Sequence, residues 1–544
     1  MDEILLHMTI DGQDVYEPQQ SIECKCIRLE TELCDMVILG IANVETLDIF
    51  IPGSLVAARM RIKKAKICSS SKKKPRIKDS RENDIDRLSQ LQDDLILQIL
   101  SCDIDLKDVV KTSALSKRWK CLWTRVPNLF IGTNSSYGYS QNSISFVDHS
   151  LSLYQRPVVE SFYLCSELCF EFLNVEKYEE WIRFALKKKV QHLFLYLGRA
   201  NVMGELYTLP AEIFQCPSLS SLVVATGKIK LPDSFCSSLK KIFLYQVTLD
   251  KRDLIDKMMS NCPNLEHLDL FSCLGPISLH MSSSVNPRMQ HLGVCFCDIK
   301  DLEIDAPNLN SLRIEGIFAG RTSLKNVASL ARAFIGFKGL VDSGPQIWGY
   351  ALYKLYENVQ HVRDLTINET GIQVFSLCAS SGFQTPTFKC KCLRLETELC
   401  DMVIPGIANI LRNSNNVETL DIYIPRLMEA YGLADYRSAG DNWFGNEPPF
   451  HCLENNVKII VITIQGKKVG LMNRYVEYAN MYDKEANLVQ FLLKSALVLE
   501  ELKIYIKDPG LENERLLRQV ARTIRRFPRA SSRAKVSIKY KDFN

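Results

Sequence analysis

No stretch of this 544-residue chain approaches the roughly 18 apolar residues that a membrane-spanning helix requires. The first twelve residues carry Asp2 and Glu3 and no basic segment ahead of a long apolar run, so no secretory leader is expected there. Charge of one sign is scarce as well: 67 basic and 63 acidic residues leave a formal net charge of +4. So close a balance gives the molecule as a whole no electrostatic case for nucleic acid or membrane binding. The 19 cysteines are an odd number scattered over a long chain, which argues against a small disulfide framework. Without a leader the thiols are expected to stay reduced, in the nucleus or the cytoplasm.

Patterns that carry chemistry are missing too. Cys24/Cys26, Cys295/Cys297 and Cys390/Cys392 lie two apart, whereas a zinc knuckle uses C-x-x-C pairs. On strands, such cysteines share a face, and they are expected as buried core thiols. The eight histidines contain no H-E-x-x-H, and Gly466-Lys467-Lys468-Val469-Gly470 lacks the order and the Ser/Thr of a phosphate loop. No nucleophile, base and oxyanion donors are linked in the sequence. The expectation is a binding protein with no catalytic residues, no cofactor and no metal.

What is present is a core-forming composition, 46% hydrophobic and 24% charged. The pattern Leu-x-x-Leu-x-Leu, with other aliphatics allowed, recurs as Leu219/Leu222/Val224, Leu239/Ile242/Leu244, Leu265/Leu268/Leu270, Met289/Leu292/Val294 and Leu309/Leu312/Ile314. The offsets of 20, 26, 24 and 20 residues fall in the leucine-rich-repeat range. Weaker matches begin at Val190 and continue at Val362, Cys390, Val417, Val457 and Leu499. The last two apolar positions of each unit point to one side of a short strand. Each unit buries that side only by stacking on its neighbours, which predicts an α/β leucine-rich-repeat solenoid, or horseshoe, over residues 145–430.

One segment is duplicated. CKCIRLETELCDMVILGIAN at 24–43 nearly repeats CKCLRLETELCDMVIPGIAN at 390–409, and VETLDIFIP at 44–52 repeats VETLDIYIP at 417–425. Residues 1–60 therefore read as a partial repeat, too small to bury a core alone. A basic linker follows over 61–83. Its Lys72, Lys73, Lys74 and Arg76 form a nuclear-signal candidate, or simply a solvated linker.

Residues 84–130 read as three compact helices: one started by Asp93 and running through Leu100, one capped by Asp105, and one through Leu115, Trp119 and Leu122 that Pro127 stops. Several apolar residues exceed what so small a module can pack internally, which is what a protein-binding surface needs. This segment resembles the F-box at the front of plant F-box proteins with leucine-rich repeats. The matching residues are Asp86-Arg87-Leu88-Ser89, Leu91, Asp93, Leu95, Ile99-Leu100-Ser101, Lys107-Asp108-Val109-Val110, Thr112-Ser113, Leu115-Ser116-Lys117-Arg118-Trp119 and Leu122-Trp123. Two positions depart from the family: Gln92 stands where it carries proline, and Ile104-Asp105 where it carries Leu-Pro. Residues 445–540 resemble the accompanying FBD domain, through Cys452-Leu453, Ala486 to Lys494 and Leu499-Glu500-Glu501-Leu502-Lys503-Ile504.

The resemblance implies a small all-α F-box domain ahead of the repeats, and a non-catalytic substrate adaptor of a cullin-based ubiquitin ligase. The F-box would bind a Skp-family linker and through it cullin, with the repeats holding an unknown protein substrate. The expected linker-binding residues are Leu88, Leu91, Leu95, Leu100, Val109, Leu115 and Trp119. For the substrate, the outward strand positions Phe194, Tyr196, Phe243, Tyr245, Asp269, Phe271, Arg313 and Glu315 combine aromatic anchors with charges. Alternatives are a scaffold outside any ligase and a receptor whose repeats enclose a small molecule. Membrane and nucleic-acid partners are not expected.

Overall fold

The computed structural model describes residues 91–102, 104–132, 141–165, 175–196, 206–232, 238–318, 321–337, 345–381, 384–400, 403–425, 450–465, 483–507 and 521–541. Four short strands precede these: β1 (Thr9–Ile10), β2 (Gln13–Asp14), β3 (Ile27–Leu29) and β4 (Leu47–Ile49). The chain divides into two compact units, Met1–Thr226 and Gly227–Asn544.

In the first unit β3 and β4 pair in parallel, Ile27 opposite Leu47 and Leu29 opposite Ile49. Three helices follow: α1 (Asp93–Leu100), α2 (Leu106–Lys111) and α3 (Trp119–Leu122). The cap of α1 differs from expectation. Gln92 occupies it, at φ −70° and ψ 149°, with no side-chain hydrogen bond. Asp93 is instead the first helical residue, and its carboxylate accepts Arg118 Nε at 2.7 Å. A φ of −70° is one that proline also adopts, so Gln92 holds a conformation open to the residue that the family carries there.

Asp105 does cap α2, accepting from Lys107 N–H at 2.8 Å. Its second oxygen accepts from Gly132 N–H at 3.0 Å and so fastens the helices to the first long strand. Burial raises the Asp105 pKa, while the hydrogen bonds from Lys107 and Gly132 pull it the other way. The expected third helix is broken into a 3-10 turn at Thr112–Ala114, α3, and a second 3-10 turn at Trp123–Arg125.

The helical reading of 84–130 also ends early, because Asn128–Phe130 already belong to β5 (Asn128–Gly132). With β6 (Ser161–Cys165), β7 (His192–Tyr196) and β8 (Ser221–Ile229), β5 forms a parallel sheet. The rows Leu129–Phe162–Leu193–Leu222 and Ile131–Leu164–Leu195–Val224 are buried. The repeat frame thus reaches back through Val159/Phe162/Leu164 to Val126/Leu129/Ile131, two units further than the sequence pattern was followed. Helices α4 (Gln141–Leu153) and α5 (Val175–Lys187) connect the strands, and α5 buries Tyr178, Trp181 and Ile182.

The second unit is built on β9 (Lys241–Leu249), β10 (His267–Phe271), β11 (Pro276–Met281), β12 (His291–Asp305), β13 (Ser311–Phe318), β14 (Thr322–Lys325), β15 (Arg332–Phe337), β16 (Asp364–Asn368), β17 (Cys392–Glu396), β18 (Thr419–Ile424), β19 (Ile459–Gln465), β20 (Glu501–Lys507) and β21 (Lys535–Lys541). The main ladder, parallel throughout, runs β9–β10–β12–β13–β15–β16–β17–β18–β19–β20–β21. The first half of β12 serves that ladder, and its second half lies between β11 and β14 in another. Gly275 makes the turn into β11 at φ +107°, where a Cβ would strike the Leu249 carbonyl, so only glycine fits.

At the strand entries two consecutive N–H groups share one carbonyl of the preceding strand: Glu266 and His267 donate to Lys240, and Gln290 and His291 to Glu266. The expected core residues, from Leu239, Ile242 and Leu244 to Leu499, Leu502 and Ile504, are all buried. A repeat that the pattern passed over, Leu330/Ala333/Ile335, fits the same frame with alanine in the middle position. Strands β19, β20 and β21 of the expected carboxy-terminal segment extend the ladder without a break. Strand β21 pairs with β20 in register, from Lys535 opposite Glu501 to Lys541 opposite Lys507.

Candidate functional site

Two surfaces were expected to bind partners, and the structure redraws both. On α1, apolar residues fall into two stripes one position apart. Ile96 and Leu100, four residues apart, turn into the core and are 0% and 4% exposed. Leu95 and Ile99, also four apart, remain 46% and 49% exposed, and Leu115 reaches 59%. Of the expected linker-binding residues, then, Leu95 and Leu115 are open and Leu91 is half-buried. Leu100, Val109 and Trp119 are a correction. All three are buried and hold the helices together, so they present no face to a partner. Ile99 was missed as a face residue; its place one turn beyond Leu95 is the signal that marks it. Leu88 lies outside the described residues, as do Lys72, Lys73, Lys74 and Arg76.

On the sheets, the residues between the two core positions of each strand point away from the core. In the first unit that row is Phe130–Tyr163–Phe194–Val223. Phe194 was expected to be exposed, but it is 2% exposed, with its ring stacked on Tyr163 at 4.2 Å and 7°. Stacking and burial together withdraw it from any partner. Tyr196 is half-buried.

In the second unit the same row reads Phe243–Asp269–Gly293–Arg313–Phe334–Thr366–Arg394–Asp421. The neighbouring row includes Tyr245, Phe271, Cys295, Glu315 and, further on, Glu396 and Tyr423. The register thus brings six of the eight expected residues together. Phe243, Tyr245, Asp269, Arg313 and Glu315 are half-buried, while Phe271 is buried between Tyr245 (5.3 Å, stacked) and Phe296 (5.0 Å, edge-on). Phe271 is therefore a second correction: it supports the face rather than lining it.

The charges on this face are paired. Asp269 Oδ1 lies 2.9 Å from His291 Nε2, in room that Gly293 leaves open, since a Cβ there would meet the Asp269 carboxylate. Arg313 lies over the Phe334 ring at 4.4 Å and 3.7 Å from Glu315. Arg394 donates to Glu396 at 2.8 Å and to Asp421 at 3.0 Å, and lies over Tyr423 at 5.4 Å. Arg394, Glu396, Asp421 and Tyr423 were missed as a cluster, although Arg394 sits between Leu393 and Leu395 as Arg313 does between Leu312 and Ile314. In the amino-terminal copy the backbone register repeats this arrangement, Arg28 opposite Asp48.

Two histidines on this face are driven apart. Burial, helped by His291 and Lys241, lowers the His267 pKa to about 4. Burial also opposes charge on His291, but the Asp269 carboxylate outweighs it and raises that pKa above the ordinary value. The rings lie 5.8 Å apart.

The paired cysteines part company as well. Cys295 is buried on the charged face beside Arg313, with its thiol pKa pushed up by burial. Phe296 then takes a left-handed φ of 54°, the register shifts, and Cys297 is buried beyond the bulge. Cys390 is buried with its pKa raised by burial to about 12, and Cys392 is half-buried.

Residues 178–333 match the family model described as FBD-associated F-box protein At5g56370, LRR repeats. The chain is 31% identical over 347 residues to the Arabidopsis thaliana F-box/LRR-repeat protein At5g02910, an alignment covering 62% of this chain and 72% of that protein. It is 35% identical over 246 residues to the FBD-associated F-box protein At5g56370 of the same plant, covering 43% and 54% of the two chains. With the Arabidopsis thaliana F-box/FBD/LRR-repeat protein At5g56420 it shares 32% identity over 272 residues, covering 46% and 59%.

Proposed function

The chain belongs to the plant F-box, FBD and leucine-rich-repeat family, and from that premise we propose that it is the substrate-recognition subunit of a cullin-based ubiquitin ligase. The helical segment α1–α3 docks on a Skp-family linker, and the charged strand face of the second unit holds the protein to be modified. The chain contributes proximity, which converts ubiquitin transfer from a bimolecular encounter to an effectively intramolecular one.

The observation that carries this reading is the apolar set Leu95, Ile99 and Leu115, each about half exposed on a short helical segment whose own core is already filled. Covering what remains of each side chain is worth on the order of 1 kcal/mol. The set supplies a partner with affinity and the helices with nothing. On the sheet, aromatic rings beside paired charges suit a protein partner with buried anchors and a polar rim.

The test is co-purification of the full chain with the Skp-family linker. Leu95→Asp combined with Leu115→Asp is expected to reduce linker retention at least tenfold and leave thermal unfolding unchanged, because neither side chain packs in the core. Retention equal to that of the unaltered chain would remove the ligase reading and leave a repeat scaffold.

A further inference from the structure

We propose that Arg118 is the positioning residue of the apolar face: its guanidinium holds the chain on both sides of Gln92 and so fixes the start of α1, a task that a proline ring at position 92 would perform covalently. The inference rests on the ligase reading for what the face binds, but not for the clamp itself.

The entry to α1 gains no hold from the core. Gln92, Asp93, Asp94 and Leu95 are all exposed, and Ile96 is the first buried residue of the helix. Gln92 makes no side-chain capping bond, and a glutamine leaves free the φ that proline would lock near −65°. The restraint comes instead from the residue that precedes α3. Arg118 Nη2 donates to the Leu91 carbonyl. Arg118 Nε donates to Asp93 Oδ1 at 2.7 Å, and Nη2 lies 2.5 Å from the same oxygen. One planar cation thus grips the residues before and after Gln92, whose own carbonyl accepts from Ile96 N–H at 3.1 Å and begins the helical ladder.

The same contacts join the two segments that carry the face. Leu95 and Ile99 stand on α1, while Leu115 follows the 3-10 turn Thr112–Ala114 and precedes Arg118 by three residues. With its guanidinium 35% and its carboxylate 48% exposed, the ion pair adds little to stability. Its effect is geometric. A guanidinium fork meets a carbonyl and a carboxylate together in few arrangements, and an ammonium cannot reproduce them. An apolar face ordered in advance binds a partner without the loss of affinity that ordering on contact brings.

Hydrogen exchange of the α1 amides in the free chain and affinity for the Skp-family linker test this, both on the full chain. Arg118→Ala is expected to speed α1 exchange at least tenfold and to weaken linker binding by a similar factor, with thermal unfolding of the full chain unmoved. Gln92→Pro combined with Arg118→Ala should return both readouts to within threefold of the unaltered chain. The clamp is overturned if Arg118→Ala leaves α1 exchange unchanged, if Gln92→Pro alone speeds it, or if the double variant stays as fast as Arg118→Ala. Arg118→Lys matching the unaltered chain would reduce the clamp to charge and overturn it as well. Restored exchange without restored affinity would place Arg118 against the linker itself and end the positioning role. No binding of the linker by the unaltered chain would remove the ligase reading, and the exchange measurements would still decide the clamp.

Discussion

The two compact units share one repeat grammar and differ in what they place between the same two core positions. In the first, the outward row is Phe130–Tyr163–Phe194–Val223, every member buried. In the second, the equivalent row alternates rings and charges, and its arginines lie over Phe334 and Tyr423 while pairing with carboxylates. Apolar rings withdrawn from water add stability and carry little information for a partner. Half-buried charges add less stability, because desolvation offsets much of their attraction, but their pairing is directional and part of each side chain stays in contact with water.

Substitutions that treat the two rows alike should therefore give unlike results. Phe194→Ala is expected to destabilise by about 3–5 kcal/mol, since it empties a buried site and removes a stacked ring. Phe243→Ala, half-buried at the same strand position, should cost less than about 1.5 kcal/mol. Urea unfolding of the full chain compares them, and equal shifts in midpoint would dissolve the distinction. Next in size is Arg394→Ala, which leaves Glu396 and Asp421 facing each other without their shared cation, at a cost of roughly 2 kcal/mol. Arg394→Lys should recover only part of this, because an ammonium cannot span both carboxylates as a guanidinium fork does. Full recovery in the same unfolding measurement would show that charge alone matters there.

A pH dependence with two opposed parts provides a further comparison. His291 has a raised pKa, so its pairing with Asp269 contributes fully below about pH 6.5 and is lost as pH rises through the raised value. His267 has a lowered pKa, so stability increases as pH rises from about 4 to about 6.5, where the unfolded chain binds the extra proton. Histidine NMR titration should find one imidazole titrating near 4 and another above 6.5, and His267→Gln should abolish the acid-side loss alone. Two histidines titrating together near 6.5 would contradict the assigned environments.

Much of this was legible in the sequence, and the exceptions have common causes. The core frame could be followed because strand and turn impose a fixed spacing on apolar residues, so Leu268 and Leu270 announce their own burial. Leu330/Ala333/Ile335 escaped because alanine weakens the pattern without altering the geometry. The short ladder of β11 and β14 escaped because it pairs with the far half of β12, which sequence order does not reveal. Of the residues expected to face a linker, Leu95 and Leu115 are exposed but Leu100, Val109 and Trp119 are buried, since adjacent apolar stripes on a short helix look alike until something packs on one of them.

The linear order of residues was enough to determine that repeats exist, which side chains fill their core, and that a helical segment precedes them. It could do so because periodicity depends on neighbours a few positions away. Which outward residues meet was decided by the tertiary structure. Asp269 with His291, Arg394 with Asp421 and the ring pair Tyr163–Phe194 come together across strands more than twenty residues apart. The parallel register sets those meetings, and register is a property of the stacked sheet and of no single strand within it.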